Sequence, residues 1–306
     1  MSDAASQAAT RLAPLPPVLP PLHQTAVLGP PSTDSLPTEE VASDPWHPLG
    51  PGSPEPGPAG AVDGDPSDTP PQPSGHPFAL RLDEVSKVYP NGKRALVDVD
   101  LEVPEGDFVF LVGPSGAGKS TLIKLLVHDE QATSGEVHVA DYDLNSLSGR
   151  DVPRLRRQIG IVFQDFRLLP RKTVRENVAF ALEVTGASGR QIRTTVDRLL
   201  GLVGLTEQAD QRPSQLSGGE QQRTAIARAM VHDPNLIIAD EPTGNLDPLI
   251  SWEIIQLLLR INELGTTVLM ATHNAEVVTA LRKRVVALES GRIVRDEIGG
   301  YHRDYI

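Results

Sequence analysis

Residues 113–120 read Gly-Pro-Ser-Gly-Ala-Gly-Lys-Ser, which is a glycine, four residues, a second glycine, a lysine and a serine. Residues 108–112 before this stretch are apolar, and residues 121–127 after it have the apolar spacing of a helix. Glycines let the main chain curl so that several N–H groups point at one anion, and the following helix adds the positive end of its dipole. The stretch therefore predicts a strand, a phosphate-binding loop and a helix, in that order.

Two side chains of this loop have specific expected contacts. A lysine at the position of Lys119 reaches the β- and γ-phosphates of a nucleotide, and a hydroxyl at the position of Ser120 binds Mg²⁺. A glycine-rich turn with a chance Lys-Ser pair is the alternative, and the agreement of strand, loop and helix disfavours it. The loop residues predicted to bind nucleotide are Gly113, Pro114, Ser115, Gly116, Ala117, Gly118, Lys119 and Ser120.

Composition separates the chain into two parts. Residues 1–77 hold 19 of the 28 prolines, with 9 acidic residues and 1 basic residue for a net charge of −8. They lack helical or strand periodicity, which predicts a disordered, acidic extension that is either a docking tail or a solvated segment. Residues 78–306 hold 31 acidic and 27 basic residues, a net charge of −4, so they lack the strongly basic balance of a DNA-binding domain.

Two further features of the composition limit the function. The chain of 306 residues has no cysteine, which excludes a disulfide framework and a cysteine-based metal site or nucleophile. No apolar stretch approaches the roughly 20 residues needed to span a bilayer. We therefore expect any contact with a membrane to be peripheral.

The hydrophobic pattern predicts an α/β fold with three regions. Residues 78–103 alternate apolar and polar, as in a half-exposed antiparallel sheet. Residues 109–112, 159–163, 236–239 and 267–271 are nearly continuous apolar runs, typical of a mostly parallel core sheet buried on both faces. A helical insertion at about residues 165–232 separates the second and third of these runs.

A pair of carboxylates ends the third apolar run. Asp240 and Glu241 follow residues 236–239 directly, at the strand edge where open α/β sheets bind ligands. Beside a phosphate-binding loop, Asp240 is predicted to hold Mg²⁺, and Glu241 is predicted to orient or deprotonate an attacking water.

Residues 216–223, Leu-Ser-Gly-Gly-Glu-Gln-Gln-Arg, predict a second helix start that binds an anion. Ser217 and Glu220 have the spacing of a capping box. Capping does not explain Gly218 and Gly219, because glycine in a first helical turn costs stability relative to alanine. Exposed N–H groups at such a start bind phosphate.

With both motifs present, the sequence resembles the nucleotide-binding subunits of ABC transporters over residues 78–306. The resemblance implies a P-loop NTPase fold of the ABC ATPase type that hydrolyses ATP with Mg²⁺. It also implies a head-to-tail homodimer in the ATP state, in which Ser217, Gly218 and Gly219 of one copy meet the nucleotide of the other. Further residues in family positions are Tyr89 (adenine), Thr121 (α-phosphate), Gln164 (Mg²⁺ and water), Gly244–Asp247 (interface loop) and His273 (γ-phosphate).

Residues 160–170 and 176–182 resemble, more narrowly, the FtsE family of bacterial cell-division ATPases. This resemblance implies an integral membrane partner of the FtsX type, control of peptidoglycan hydrolases, peripheral association with the cytoplasmic face of the cell membrane and no nucleic-acid partner. Phe166, Leu168 and Leu169 either form a groove for that partner or belong to the core of the helical insertion.

Residues 240–248 leave other functions open, because lipoprotein-releasing and macrolide-exporting ATPases share them. An adaptor protein acting through its proline-rich extension is a further alternative. A DNA-repair or ribosomal ABC protein is disfavoured, because the chain lacks zinc-binding cysteines, a long coiled coil and a second cassette.

Overall fold

The computed structural model describes residues 78–299, so the predicted disordered extension at residues 1–77 lies outside the described residues. The described chain folds into two sheets and seven α-helices. The strands are β1 (Phe78–Val88), β2 (Arg94–Pro104), β3 (Phe108–Val112), β4 (Ser134–Val139), β5 (Tyr142–Asp143), β6 (Ile159–Phe163), β7 (Leu236–Asp240), β8 (Thr267–Ala271), β9 (Arg284–Glu289) and β10 (Arg292–Ile298).

The helices are distributed along the chain, and three of them lie between two core strands. They are α1 (Lys119–Leu126), α2 (Val152–Gln158), α3 (Val174–Val184), α4 (Gly189–Val203), α5 (Gly218–Ala229), α6 (Pro248–Glu263) and α7 (Ala275–Leu281). Helices α3, α4 and α5 lie between β6 and β7 in the chain. Thr173, Ser188 and Ser217 cap them, each accepting a hydrogen bond from a main-chain N–H of the first turn.

The larger sheet confirms the predicted mostly parallel core. Its order is β10-β9-β3-β8-β7-β6, with β10 antiparallel to β9 and the other neighbours parallel. Phe110 joins one buried cluster, while its neighbours Val109 and Leu111 join a second cluster. Because successive strand side chains point to opposite faces, both faces of this sheet are covered, which explains the continuous apolar runs.

The smaller sheet confirms the predicted antiparallel region and extends it. Its order is β2-β1-β4-β5. Strand β1 has a register shift against β2 between Leu82 and Val85, where Glu84 has a φ of 49°. The hydrophobic pattern did not reveal the short, polar strands β4 and β5, because they are specified by pairing, β4 with β1 and β5 with β4.

Strand register brings four loops to one edge of the parallel sheet. Asp240, at the end of β7, pairs with Phe163 of β6 and with Ala271 of β8. Ala271 in turn pairs with Leu111 of β3. The residues that follow these strand ends therefore meet at the carboxyl edge, where ligands of open α/β sheets bind.

Candidate functional site

The phosphate-binding loop connects β3 to α1 and packs tightly against the rest of the chain. Gly113 has a φ of 145°, and a Cβ there would lie 2.1 Å from the main-chain oxygen of Leu288. Gly118 has a φ of 118°, and a Cβ there would lie 2.6 Å from the main-chain oxygen of Ala95. The loop therefore requires glycine at both positions, because φ is positive and the neighbouring backbone leaves no room.

Lys119 is the first residue of α1 and turns back over the loop. Its Nζ donates hydrogen bonds to the carbonyl oxygens of Gly113 at 2.5 Å and Pro114 at 3.2 Å. These acceptors are neutral, so the ammonium can exchange them for the stronger, charge-assisted bonds that a phosphate offers.

A cavity of about 690 Å³ opens over this loop, within the size range of ligand pockets. The residues that line it are Lys93, Ala95, Gly113, Pro114, Ser115, Gly116, Ala117, Gly118, Lys119, Ser120, Thr121, Gln164, Asp240, Glu241 and His273. The structure thus brings together the predicted loop, the predicted carboxylates and the predicted glutamine and histidine. Sequence reasoning missed Lys93 and Ala95, which enter from β2 and the turn before it, where no motif marks them.

Asp240 is the last residue of β7, and Glu241 follows it directly. Both line the cavity, and their environments differ. Burial, and then the neighbouring Glu241 carboxylate, raise the pKa of Asp240 above its ordinary range, while Lys119 and Arg167 act in the opposite direction. A divalent cation would relieve the same unfavourable charge. The carboxylate of Asp240 and the hydroxyl of Ser120 are hard oxygen ligands on one cavity wall, so these residues fit Mg²⁺.

Glu241 lies on a sharp turn that aims its carboxylate at His273. Its φ is 49°, and its main-chain N–H donates to the Ala271 oxygen at 3.0 Å. Oε2 of Glu241 lies 2.9 Å from Nδ1 of His273 and accepts from the His273 main-chain N–H at 3.4 Å. The Glu241 side chain is 17% exposed and the His273 side chain is 73% exposed, so the histidine covers the carboxylate from the solvent side.

Gln164 follows β6 and is tied to the loop after Glu241. Its Nε2 donates to Oδ1 of Asn245 at 3.4 Å, and its main-chain oxygen accepts from Asn245 Nδ2 at 3.1 Å. A Cβ on Gly244 would lie 2.7 Å from Gln164 Nε2. The role of Asn245 as the partner of Gln164 was missed by the sequence, because the two residues lie 81 positions apart.

Tyr89 lies beside the cavity and does not line it. It follows β1, its hydroxyl is 3.4 Å from Oγ1 of Thr121, and Nζ of Lys87 lies 5.1 Å from its ring centroid. Its ring is half-buried next to the residue that follows the phosphate-binding loop. This position suits a stacking contact with a base bound at the cavity mouth.

This chain is similar to known proteins. The ABC transporter family model matches residues 96–244. The cell-division ATP-binding protein FtsE of Bacillus subtilis is 52% identical over 226 residues, which cover 74% of this chain and 99% of that protein. The protein of the same name from Mycobacterium tuberculosis is 54% identical over 224 residues, 73% of this chain and 97% of that protein.

This chain belongs to the ABC transporter ATPase family. The solved dimeric structure of the ATP-binding cassette MJ0796 in a post-hydrolysis state, bound to ADP and Pi, agrees with that assignment. It superposes with a TM-score of 0.65 at 37% identity and covers 73% of this chain and all of that one. The family is one of ATP-binding ATPases.

In this ABC ATPase, residues 217–219 lie apart from the cavity of their own chain, whose lining does not include them. Ser217 caps α5, and Ser217 and Glu220 form the predicted capping box. The hydrogen bond from Ser217 lowers the pKa of Glu220. Gly219 has a packing reason that the sequence did not reveal, since a Cβ there would lie 2.5 Å from Cγ2 of Ile250 on α6.

The apolar residues after Gln164 are half-buried and belong to neither buried cluster of the described chain. Phe166 and Arg167 have positive φ values of 57° and 48°. Arg228 of α5 donates to their main-chain oxygens at 2.9 and 2.6 Å, so α5 holds the shape of this loop. Of the alternatives for Phe166, Leu168 and Leu169, this leaves the groove as the hypothesis to test.

Within residues 78–299, no helix combines the length and apolar character that crossing a membrane would require.

Proposed function

We propose that this ABC ATPase is the ATP-binding and ATP-hydrolysing subunit of a membrane complex that acts in bacterial cell division. The observation that carries the proposal is the Glu241–His273 pair, which faces the phosphate-binding loop across one cavity. The relatives named FtsE, about half identical over nearly their whole length, support the cellular role. We assign the ATPase domain to residues 78–306 and a separate extension to residues 1–77.

The nucleotide is held by main-chain and side-chain donors of one loop. The N–H groups of residues 113–119 and the start of α1 receive the phosphates, and Lys119 leaves its carbonyl partners for the β- and γ-phosphates. Thr121 binds the α-phosphate, and Tyr89, which contacts Thr121, stacks on the adenine.

Ser120, Asp240 and Gln164 line the same cavity and would hold Mg²⁺. When bound, the ion supplies positive charge that offsets the negative charge of the phosphate oxygens during transfer. Such a cation would favour the ionised form of Asp240 despite its burial and the repulsion from Glu241.

Glu241 acts on the attacking water, and His273 orients that water. A carboxylate that is only 17% exposed and aimed by a rigid turn accepts a proton from water, an action that contributes about 10²–10⁴-fold to a rate. His273, held by Glu241, presents its ring to the γ-phosphate. Gln164 positions the water and the ion from the opposite side, and Asn245 holds its side chain in place.

A second copy of the chain completes each site. Ser217 is exposed at the start of α5 and lies away from its own cavity. Its hydroxyl, which donates to Glu220 in the single chain, and the N–H groups of Gly218 and Gly219 would meet the γ-phosphate of a partner. The solved cassette MJ0796 is dimeric with ADP and Pi. A head-to-tail homodimer in the ATP state has two equivalent composite sites.

The membrane partner is of the FtsX type and docks on the groove formed by Phe166, Leu168 and Leu169. Through it the ATPase associates peripherally with the cytoplasmic face of the membrane, and hydrolysis controls peptidoglycan hydrolases; no nucleic acid takes part. The apolar side chains of the groove lie beside Arg167, within reach of a partner helix with a polar rim.

Affinity purification from membranes, with mass spectrometry of the bound proteins, tests this assignment. The wild type should retain an FtsX-type protein, whereas Leu168→Asp should lose it and keep its own ATPase activity. Leu264→Asp is the control, because it makes the same change at an exposed leucine at the end of α6, away from the groove in the chain. Recovery of an exporter permease would contradict the cell-division role and indicate export. Retention of the partner by Leu168→Asp would show that the groove is not the docking site.

A further inference from the structure

Gln222 is a fully buried glutamine on α5 whose role is not explained by nucleotide binding. It lies in the second turn of α5, after the helix tip at Ser217, and its exposed fraction is 0%. Its Nε2 donates a hydrogen bond of 2.7 Å to the main-chain oxygen of Pro242. Pro242 directly follows Glu241, so this bond joins α5 to the turn that carries the proposed base.

That turn depends on a few contacts. Glu241 has a φ of 49°, a conformation that a residue other than glycine adopts only when its surroundings impose it. The main-chain N–H of Glu241 donates to Ala271, and its oxygen accepts from the N–H of Gly244 at 3.0 Å. Pro242 is buried, so its oxygen requires a protein donor, and Gln222 supplies it from another element.

The other amide atom of Gln222 indicates why a glutamine stands there. Oε1 is buried and has no hydrogen-bond partner among the described residues. A buried unsatisfied oxygen costs stability, and an apolar side chain of the same size would avoid that cost. The oxygen of the amide therefore gives no reason for a glutamine at this position, and the donor to Pro242 is what the glutamine supplies.

The same face of α5 is packed firmly on α6. Gly219 touches Ile250, and Arg223 forms an ion pair of 3.2 Å with Glu253. Gly219, Gln222 and Arg223 are three and four residues apart and so lie on one helix face. Any displacement of the helix tip is therefore passed to the Glu241 turn through contacts that are already formed.

We propose that Gln222 is a positioning residue for Glu241, holding the base-bearing turn to the helix that reaches the partner's nucleotide. The inference rests on the proposed roles of Glu241 and of the helix tip. Through Gln222, the position of the Glu241 turn depends on the tip of α5 in the same chain. In the proposed dimer that helix tip contacts the other composite site.

A double-mutant cycle in the full chain tests the inference. Gln222→Met should lower kcat at least about tenfold and keep the Kd for ATP within about twofold. Its melting temperature should fall, because the buried Pro242 oxygen loses its donor. In a Glu241→Gln background, adding Gln222→Met should lower the residual turnover by less than about twofold, because the side chain acts through Glu241. Turnover is counted per bound nucleotide, so that unfolded protein does not contribute.

Asn262→Leu is the matched control, since Asn262 also donates its amide to main-chain oxygens, those of Gly106 and Thr266 at 2.8 and 3.0 Å. These oxygens lie at the opposite edge of the sheet, so this variant should lose stability and keep its kcat per bound nucleotide.

The outcomes separate this inference from the proposed function. If the wild type does not hydrolyse ATP, the proposed function fails. If it does, and Gln222→Met keeps wild-type kcat or slows both backgrounds equally, the positioning role is wrong. If Gln222→Met does not fold, Gln222→Asn is measured in the same cycle. Its amide donor is one methylene shorter and so lies farther from the Pro242 oxygen.

Discussion

Oε2 of Glu241 and Nδ1 of His273 lie 2.9 Å apart, although the two residues follow different strands of the parallel sheet. Asp240 pairs with Ala271 in the register of β7 and β8, so the residues that follow these strands emerge side by side. The sharp turn at Glu241, with its φ of 49°, directs the carboxylate towards the histidine. The pair is thus a consequence of strand register combined with one unusual backbone angle.

Replacing Glu241 with glutamine should nearly abolish hydrolysis while nucleotide binding persists. The amide cannot accept the proton of the attacking water, so turnover should fall by about 10²–10⁴-fold. An ATP-bound dimer should accumulate, as measured by size-exclusion chromatography with light scattering. Glu263→Gln, an exposed glutamate at the end of α6, is the control and should behave like the wild type. Unchanged turnover in Glu241→Gln would show that Glu241 is not the base.

Lys119→Ala should weaken nucleotide binding itself. A hydrogen bond to a charged group contributes roughly 1.5–3 kcal/mol, so the affinity for ATP should fall about tenfold to a hundredfold in a fluorescence titration. Lys124→Ala is the matched variant, because Lys124 is exposed in the last turn of the same helix and should bind ATP normally. A preserved affinity in Lys119→Ala would contradict the phosphate contact.

Asp240→Asn should stabilise the nucleotide-free protein and impair its ATPase activity. Burial and Glu241 raise the pKa of Asp240, so the folded state binds its proton more tightly than the unfolded state. Ionised Asp240 therefore costs stability, and the cost disappears as the pH falls through the raised pKa.

Thermal unfolding of the metal-free protein at several pH values measures this effect. The variant should melt higher than the wild type at pH 7, and the difference should shrink towards acidic pH. With Mg²⁺ and ATP present, the wild type alone should gain stability from the ion. A melting difference that is constant with pH would show that the titration of Asp240 is not the cause.

Gly219→Ala tests whether this glycine serves packing within the chain. The added Cβ would meet Cγ2 of Ile250 at 2.5 Å, and such overpacking costs about 1–3 kcal/mol in the free energy of unfolding. In an Ile250→Ala background the same change should be neutral or slightly stabilising, because alanine is the better helix former. Urea denaturation of the single and double variants gives the coupling energy.

Gly201→Ala is the reference for a glycine without such a neighbour. Gly201 lies inside α4 with open space around its Cα, so alanine should stabilise by about 0.4–1 kcal/mol. If Gly219→Ala unfolds like the wild type and loses only the ATP-dependent dimer, anion binding alone explains the glycine.

The sequence by itself determined the features that depend on neighbouring residues. The spacing from Gly113 to Ser120 specifies the phosphate-binding loop, because glycine conformation and the following helix are local properties. Continuous apolar runs specify strands buried on both faces, and Ser217 with Glu220 specifies a helix start.

Only the tertiary structure decided which distant residues meet. Gln164 and Asn245 are 81 positions apart, and their contact follows from the pairing of β6 with β7. Gln222 reaches Pro242, and Gly219 reaches Ile250, because α5 packs beside the end of β7 and the start of α6. Such contacts arise from register and close packing between elements, which leave no periodic signal in the chain.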